Sequence, residues 1–235
     1  MVANRYLRDT MSTPKVLETT AGPIPLAECR VAVGTREWSI AYSSAVVSHA
    51  EESQYLAEKS DWMPYGMALW PAALALAHEI ALRPEEFRGK RVLELGAGTG
   101  LPGIVAASQG AKVVQTDRQE LALHICKKNG EANGAMGIEY RLADWREWND
   151  TQKYDWILGA DILYADTLHE PLKRIFESNL VPGGRVLIGD PFRAESLRLL
   201  ESLVQSRWSV THSRWLIGEG EDVRPVAVYE LVPKP

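Results

Sequence analysis

The sequence is poor in the residues from which metal and redox centres are built. Its 235 residues include two cysteines, Cys29 and Cys126, and neither stands in a Cys-x-x-Cys pair or a Cys/His cluster. That excludes a zinc finger and a disulfide framework and leaves both thiols as small, buried, reduced groups. The five histidines, His49, His78, His124, His169 and His212, share no ligand spacing, and His78-Glu79 lacks the second histidine of a His-Glu-x-x-His site. No metal is implied. An excess of basic charge is also missing: 26 Lys and Arg against 31 Asp and Glu give a net charge of −5. A binder of duplex nucleic acid usually needs the opposite balance, so nucleic acid is not an expected partner. The longest apolar run, Met67 to Ala77, contains Pro71 and falls well short of the roughly 20 residues that cross a bilayer. The first twenty residues have no apolar stretch of the kind a secretory signal needs. Together these absences predict a cytoplasmic protein with no membrane partner.

What is present is ordinary globular material, 46% hydrophobic and 24% charged. A chain of this length buries one substantial core, and a single α/β domain behind a leader is the expectation. Residues 1 to 20 are polar and unpatterned and predict a flexible leader. From Ile24 the sequence alternates; Gly34-Thr35 then punctuates it before Glu37 to Ser44, a pattern that predicts a β-hairpin. Residues 49 to 62 are charged and suit a short helix or flap, which closes an accessory segment at residues 21 to 62. Residues 63 to 235 form the main domain. Pro71 to Leu82 is expected to be a helix, with proline in its first turn and Pro84 beyond its end.

Arg91 to Leu95 and Lys112 to Asp117 are short apolar strands flanking a helix at Leu101 to Gln109, and a second helix begins at Glu120. That is a βαβ unit. Ile138 to Leu142, Trp156 to Ala160 and Arg185 to Gly189 predict further strands, with helices at Leu168 to Leu180 and Ala194 to Ser206. The fold class is therefore a Rossmann-like, doubly wound α/β sheet of seven strands. It is mostly parallel, with an antiparallel C-terminal pair drawn from Trp208 to Trp215 and Pro225 to Val232. Most of the eight tryptophans, Trp145, Trp148, Trp156 and Trp208 among them, fall in or near strands and suit core and pocket packing.

Between the first strand of that unit and its helix lies Glu94-Leu-Gly96-Ala97-Gly98-Thr-Gly100. Glycine is needed where a turn brings bare backbone close to a ligand at a helix N-terminus. A dinucleotide fingerprint requires a glycine at the sixth position counted from Gly96, where Leu101 stands, and the Gly-Lys-Ser/Thr of a phosphate loop is missing. Asp117 ends the second strand, where a carboxylate can accept hydrogen bonds from both hydroxyls of a ribose.

Glycine at every second position after an acid resembles the loop of class I S-adenosylmethionine-dependent methyltransferases. The resemblance implies that the loop passes beside the methionine portion of S-adenosylmethionine, with Glu94 helping to hold its amino group. It also implies that Asp144 accepts from the adenine amino group while Trp145 lines the base. Arg118 and Ala160 complete the implied cofactor contacts beside Asp117 and at the end of the fourth strand. A narrower resemblance, over about residues 60 to 235, is to methyltransferase family 16, the seven-β-strand protein lysine methyltransferases. It is carried by Trp70-Pro71, by the glycine loop and by Asp161-Ile-Leu-Tyr164. It implies that Trp70 touches the cofactor and that Asp161 and Tyr164 face the transferable methyl, Asp161 orienting the acceptor amine and Tyr164 forming an aromatic wall or a hydroxyl contact. The implied substrate is a protein lysine. A small amine remains a second acceptor class, and a nucleoside-binding protein without turnover a third reading.

Overall fold

The computed structural model describes residues 2–3, 6–7, 15–19, 22–43, 64–218 and 223–234. The segment at 49–62, expected as a helix or flap, lies outside the described residues. Among the described residues, five strands precede the main domain: β1 (Val2–Ala3), β2 (Tyr6–Leu7), β3 (Lys15–Thr19), β4 (Gly22–Val33) and β5 (Arg36–Ser43). The last two form the expected hairpin, in register from Val33 opposite Arg36 to Leu26 opposite Ser43. Of the first twenty residues, expected as a flexible leader, those described are Val2–Ala3, Tyr6–Leu7 and Lys15–Thr19, and they are extended. Strands β2 and β3 add to the free edge of β4, and β1 pairs with the far edge of the main sheet. An unpaired sheet edge offers backbone donors and acceptors to any extended segment, so pairing there needs no hydrophobic pattern.

The main sheet is built from β6 (Arg91–Leu95), β7 (Lys112–Asp117), β8 (Glu139–Leu142), β9 (Tyr154–Ala160), β10 (Leu180–Asp190), β11 (Trp208–Ile217) and β12 (Arg224–Pro233). Its order is β11-β12-β10-β9-β6-β7-β8, with β1 outside β11. Strand β12 pairs antiparallel with both β10 and β11, so it is inserted between them and alone opposes the other strands of the sheet. The C-terminal pair is thus antiparallel as expected, with the last strand inside the sheet. Strand β10 begins earlier than the apolar run suggests: Leu180 pairs with Tyr154, and the register shifts before Arg185 pairs with Trp156.

Helices α1 (Pro71–Ala81), α2 (Pro84–Phe87), α3 (Leu101–Ser108), α4 (Glu120–Ala132), α5 (His169–Asn179) and α6 (Ala194–Gln205) cover the sheet. Side chains alternate across each strand, and both faces are buried, which explains the near-continuous apolar runs. Val92, Trp156, Leu158 and Leu187 pack with α1, α3 and the hairpin residues Val31, Trp38 and Ile40. Leu93, Leu95, Ile157 and Ile188 pack on the other face with Leu172, Ile175 and Phe176 of α5 and Leu199 and Leu203 of α6.

The hairpin is fastened by side-chain amides as well as by packing. Asn129, on α4, is 1% exposed. Its Oδ1 accepts from the Ala41 amide at 2.8 Å, and its Nδ2 donates to the carbonyls of Ala41 and Thr99 at 2.9 Å each. One turn on, Asn133 repeats the clasp on Ser39, accepting from its amide at 3.0 Å and donating to its carbonyl at 2.8 Å. Replacing Asn129 with Ala strands buried backbone groups on two segments, a loss of about 1–3 kcal/mol for each unsatisfied group. Urea denaturation of Asn129→Ala should therefore show a lowered midpoint; an unchanged midpoint would mean that the clasp contributes nothing net.

Candidate functional site

The strand order reverses between β6 and β9: the chain steps outward from β6 to β8, then returns to β9 on the other side. In open α/β sheets the crevice beyond the carboxyl ends of the strands at such a reversal is where ligands bind. The glycine loop lies there, between β6 and α3. Gly96, Gly98 and Gly100 all have positive φ, at 63°, 55° and 80°. A Cβ at Gly98 would stand 3.0 Å from the Gly66 carbonyl oxygen, and one at Gly100 would collide with Cys126 Sγ. The left-handed turns and the lack of space each require glycine at these positions. The Ala97 amide donates to the Thr116 carbonyl at 2.9 Å, tying the loop to β7.

Glu94 holds the loop from beneath. Its side chain lies in a residue only 1% exposed, and Oε2 accepts from the Gly103 amide in the first turn of α3 at 3.1 Å and from Gln115 Nε2 at 2.5 Å. Through these bonds the carboxyl that the resemblance assigns to a cofactor amino group also braces the first turn of α3. Burial pushes its pKa up to about 8 against those hydrogen bonds, with the charge of Asp117 adding to the rise.

Asp117, 7% exposed at the end of β7, accepts from the Gly98 amide at 3.1 Å through Oδ2 and from the Gln119 amide at 3.0 Å through Oδ1. Burial raises its pKa, and the backbone amides, with Arg118 next to it, draw it back. The ribose-binding acid expected at this position therefore stands directly against the second glycine of the loop, with the exposed side chain of Arg118 beside it.

Trp145 reaches the same place from the end of β8. Its Cζ2 would lie 3.1 Å from a Cβ on Gly96, so the ring covers the first glycine. Asp144 caps the short 3-10 turn that carries Trp145, its Oδ1 accepting from the Arg146 amide at 2.8 Å while Oδ2 lies 3.9 Å from Arg146 Nη1. That cap is a sufficient structural use of Asp144. A groove of about 480 Å³ opens between this turn and α5, lined by Trp145, Trp148, Arg174 and Ile175 among others.

The fourth strand ends at the half-buried Ala160, and Asp161 follows in the left-handed region at φ 59°. Its amide donates to the Gly189 carbonyl of β10 at 2.8 Å, and its carboxylate is ion-paired with Arg193. Ile162, the next residue, would lie 3.1 Å from a Cβ on Gly96, so the motif and the glycine loop are in contact. Tyr164 is half-buried against the α5 side of the core. Trp70 precedes α1 in extended conformation, with its carbonyl accepting from the Ala73 amide at 3.0 Å. The first turn of α1 presses on the end of β10, where the Ala72 carbonyl oxygen would lie 2.6 Å from a Cβ on Gly189. The glycine loop, Asp117, Trp145 and the Asp161 to Tyr164 motif thus meet at the carboxyl ends of β6 to β9, with Glu94 bonded to the helix that follows the loop. Arg193 was not singled out by the sequence, since an arginine at the head of a helix has no motif to mark it. Outside the site, Glu79 accepts from Trp215 Nε1 at 2.9 Å and Ser213 Oγ at 2.6 Å, and His78 stacks on Trp215; both belong to the packing of α1 on β11.

A loop of left-handed glycines, an acid against it at the next strand and an indole over its first glycine fit a nucleoside-containing cofactor and define a Rossmann-like methyltransferase fold. Residues 50–197 match the family described as lysine methyltransferase, and the chain belongs to that family. Protein N-lysine methyltransferase METTL21A of Danio rerio is 34% identical over 181 residues, 73% of this chain and 80% of the relative. Histone-arginine methyltransferase METTL23 of Xenopus laevis is 39% identical over 106 residues, 43% of this chain and 45% of the relative. EEF1A lysine methyltransferase 3 of Mus musculus is 37% identical, covering 54% of this chain and 56% of the relative. Apart from the zebrafish protein, these matches span about half of the relatives' length. Among solved structures, the DhpI complex with S-adenosylhomocysteine has 22% identity and a TM-score of 0.54, covering 79% of this chain and 93% of that one. At that identity the likeness shows the fold.

The raised pKa of Glu94 links stability to pH. The folded protein holds a proton that the unfolded chain, with an ordinary value of 4.5, has already released. Stability from this group is complete below pH 4.5 and falls as pH rises to about 8. Thermal unfolding of Glu94→Gln across that window should show a flatter pH dependence than the unaltered protein; an identical slope would remove Glu94 as its source.

Proposed function

We propose that the protein transfers a methyl group from S-adenosylmethionine to the side-chain nitrogen of a lysine in a protein substrate. The observation that supports this is the approach of the Ile162 side chain to Gly96, which brings the Asp161 to Tyr164 motif up to the glycine loop. The family match and the lysine-directed names of the zebrafish and mouse relatives support it.

When bound, S-adenosylmethionine would supply an electrophilic methyl, to which a nitrogen lone pair bonds in line as the methyl–sulfur bond breaks and S-adenosylhomocysteine leaves. Positioning accounts for much of such a rate. Gly96 to Gly100 present backbone to the methionine portion, Asp117 accepts from the ribose hydroxyls, and Trp145 with the Asp144 turn lines the base. Trp70, Arg118 and Ala160 flank these contacts. The acceptor amine of a lysine in water titrates near pH ~10.4 and must enter neutral. Asp161 accepts a hydrogen bond from it and so fixes the direction of its lone pair, with Tyr164 as the wall of the acceptor channel. A second reading, an arginine nitrogen as acceptor, is favoured by the match to the frog histone-arginine methyltransferase.

Incubation with methyl-labelled S-adenosylmethionine and a cell lysate, followed by size separation and hydrolysis of the labelled bands, tests both. Methyl-lysine is the expected product; methylarginine supports the second reading, and label confined to small molecules rejects both. Asp161→Asn keeps the side-chain shape and tolerates the left-handed backbone, and it should lower transfer by about 10²-fold with cofactor affinity retained. Full turnover in that variant would remove Asp161 from the chemistry. Asp117→Ala should do the converse, weakening S-adenosylhomocysteine binding in calorimetry by about 1–3 kcal/mol; unchanged affinity would remove it from the site.

A further inference from the structure

The carboxyl ends of β9 and β10 are joined in a way that the glycine loop does not require. Among the described residues three non-glycine residues have positive φ, and two of them stand here: Asp161 at 59° after β9 and Phe192 at 65° after β10. A bulky residue such as Phe is a conformational outlier in that region, and strain of this kind persists where the surrounding structure enforces it. At Phe192 the enforcing contacts are visible. Asp190, fully buried at the end of β10, accepts from the Arg193 amide at 2.9 Å and closes the turn Asp190-Pro191-Phe192-Arg193. The turned chain sends the Arg193 guanidinium back to Oδ1 of Asp161, while the Asp161 amide donates to the Gly189 carbonyl. The Asp161 side chain is 7% exposed and that of Arg193 21%, so the pair is largely shielded from water, where an ion pair is screened less than at the surface.

We infer that Arg193 is a positioning residue for methyl transfer: by engaging Oδ1 of Asp161 it fixes the carboxylate plane and presents Oδ2 to the entering acceptor nitrogen. The inference rests on the acceptor-orienting role of Asp161 given above. A carboxylate free to turn about its side-chain bonds would offer the amine a spread of directions, and alignment with the methyl–sulfur axis is what the reaction demands. The guanidinium reduces that freedom and donates through a rigid fork, which an ammonium reproduces only in part. The turn at Phe192 is the backbone device that delivers it. It also leaves the Phe192 ring 36% exposed, edge-on to Tyr229 with centroids 6.5 Å apart, at the rim on which an acceptor peptide would lie.

The test compares Arg193→Met, Arg193→Lys, Asp161→Asn and the Asp161→Asn/Arg193→Met double variant. For each, the initial rate of label transfer from saturating methyl-labelled S-adenosylmethionine into lysate proteins is measured beside S-adenosylhomocysteine affinity and thermal unfolding. Arg193→Met should slow transfer by about 10- to 10²-fold with affinity for S-adenosylhomocysteine unchanged, and Arg193→Lys should recover part of the rate. The double variant should be no slower than Asp161→Asn alone, because the arginine acts only through that carboxylate. The inference falls if Arg193→Met keeps its rate while Asp161→Asn loses it, if the two losses multiply, or if Arg193→Met loses rate and cofactor affinity together. If Asp161→Asn itself keeps full turnover, the functional reading of Asp161 fails first and takes this inference with it.

Discussion

The site depends on a backbone constraint at the end of β6. The chain must turn from a buried strand into a helix within five residues, and it does so through Gly96, Gly98 and Gly100 in the left-handed region, where no side chain covers the backbone. Such a turn has few contacts of its own, so it is held from its neighbours. Glu94 and Gln115 grip the start of α3 from below, Thr116 takes the Ala97 amide, and Asp117 takes that of Gly98. All four belong to β6 and β7, whose parallel register sets Glu94 opposite Gln115 and Leu95 opposite Thr116. The loop is therefore as exact as the pairing of two central strands, which is the kind of support that a preorganised site needs.

The acid at the head of the glycine pattern has a structural task beside the one the family resemblance implies. Its residue is 1% exposed, and burial raises its pKa. It is well placed to satisfy a helix amide that would otherwise be buried without a partner. The two central acids hold the loop from two sides: Glu94 through the first turn of α3, and Asp117 through the Gly98 amide.

Much of this was legible in the sequence because local pattern and tertiary role agree there. The bounds of β6 and β7 follow from short apolar runs punctuated by glycine and a terminal acid, and the hairpin from alternation about Gly34. Three features were not legible, each for a physical reason. The early start of β10 runs through Pro182-Gly183-Gly184, which has the composition of a turn and pairs irregularly. The insertion of β12 between β10 and β11 is a choice of neighbours, and two adjacent apolar strands carry no mark of which will lie inside. The pairing of Asp161 with Arg193 joins residues on different strand ends through a single turn, and no spacing rule links them. The motif at Asp161 to Tyr164 marked a position after β9, while the arginine paired with its acid came only with the fold.

Asn129 has a wider consequence than the fastening of a hairpin. The same amide nitrogen donates to Ala41 in β5 and to Thr99 inside the glycine loop, so one side chain spans an accessory strand and the loop beside the cofactor. A movement of that side chain disturbs both segments, and thermodynamic reciprocity makes any such coupling run both ways. A cofactor that quiets the loop would then slow amide exchange at Ala41 and its neighbours, far upstream of the glycines in the chain. Opening the hairpin would, by the same side chain, loosen the hold on Thr99.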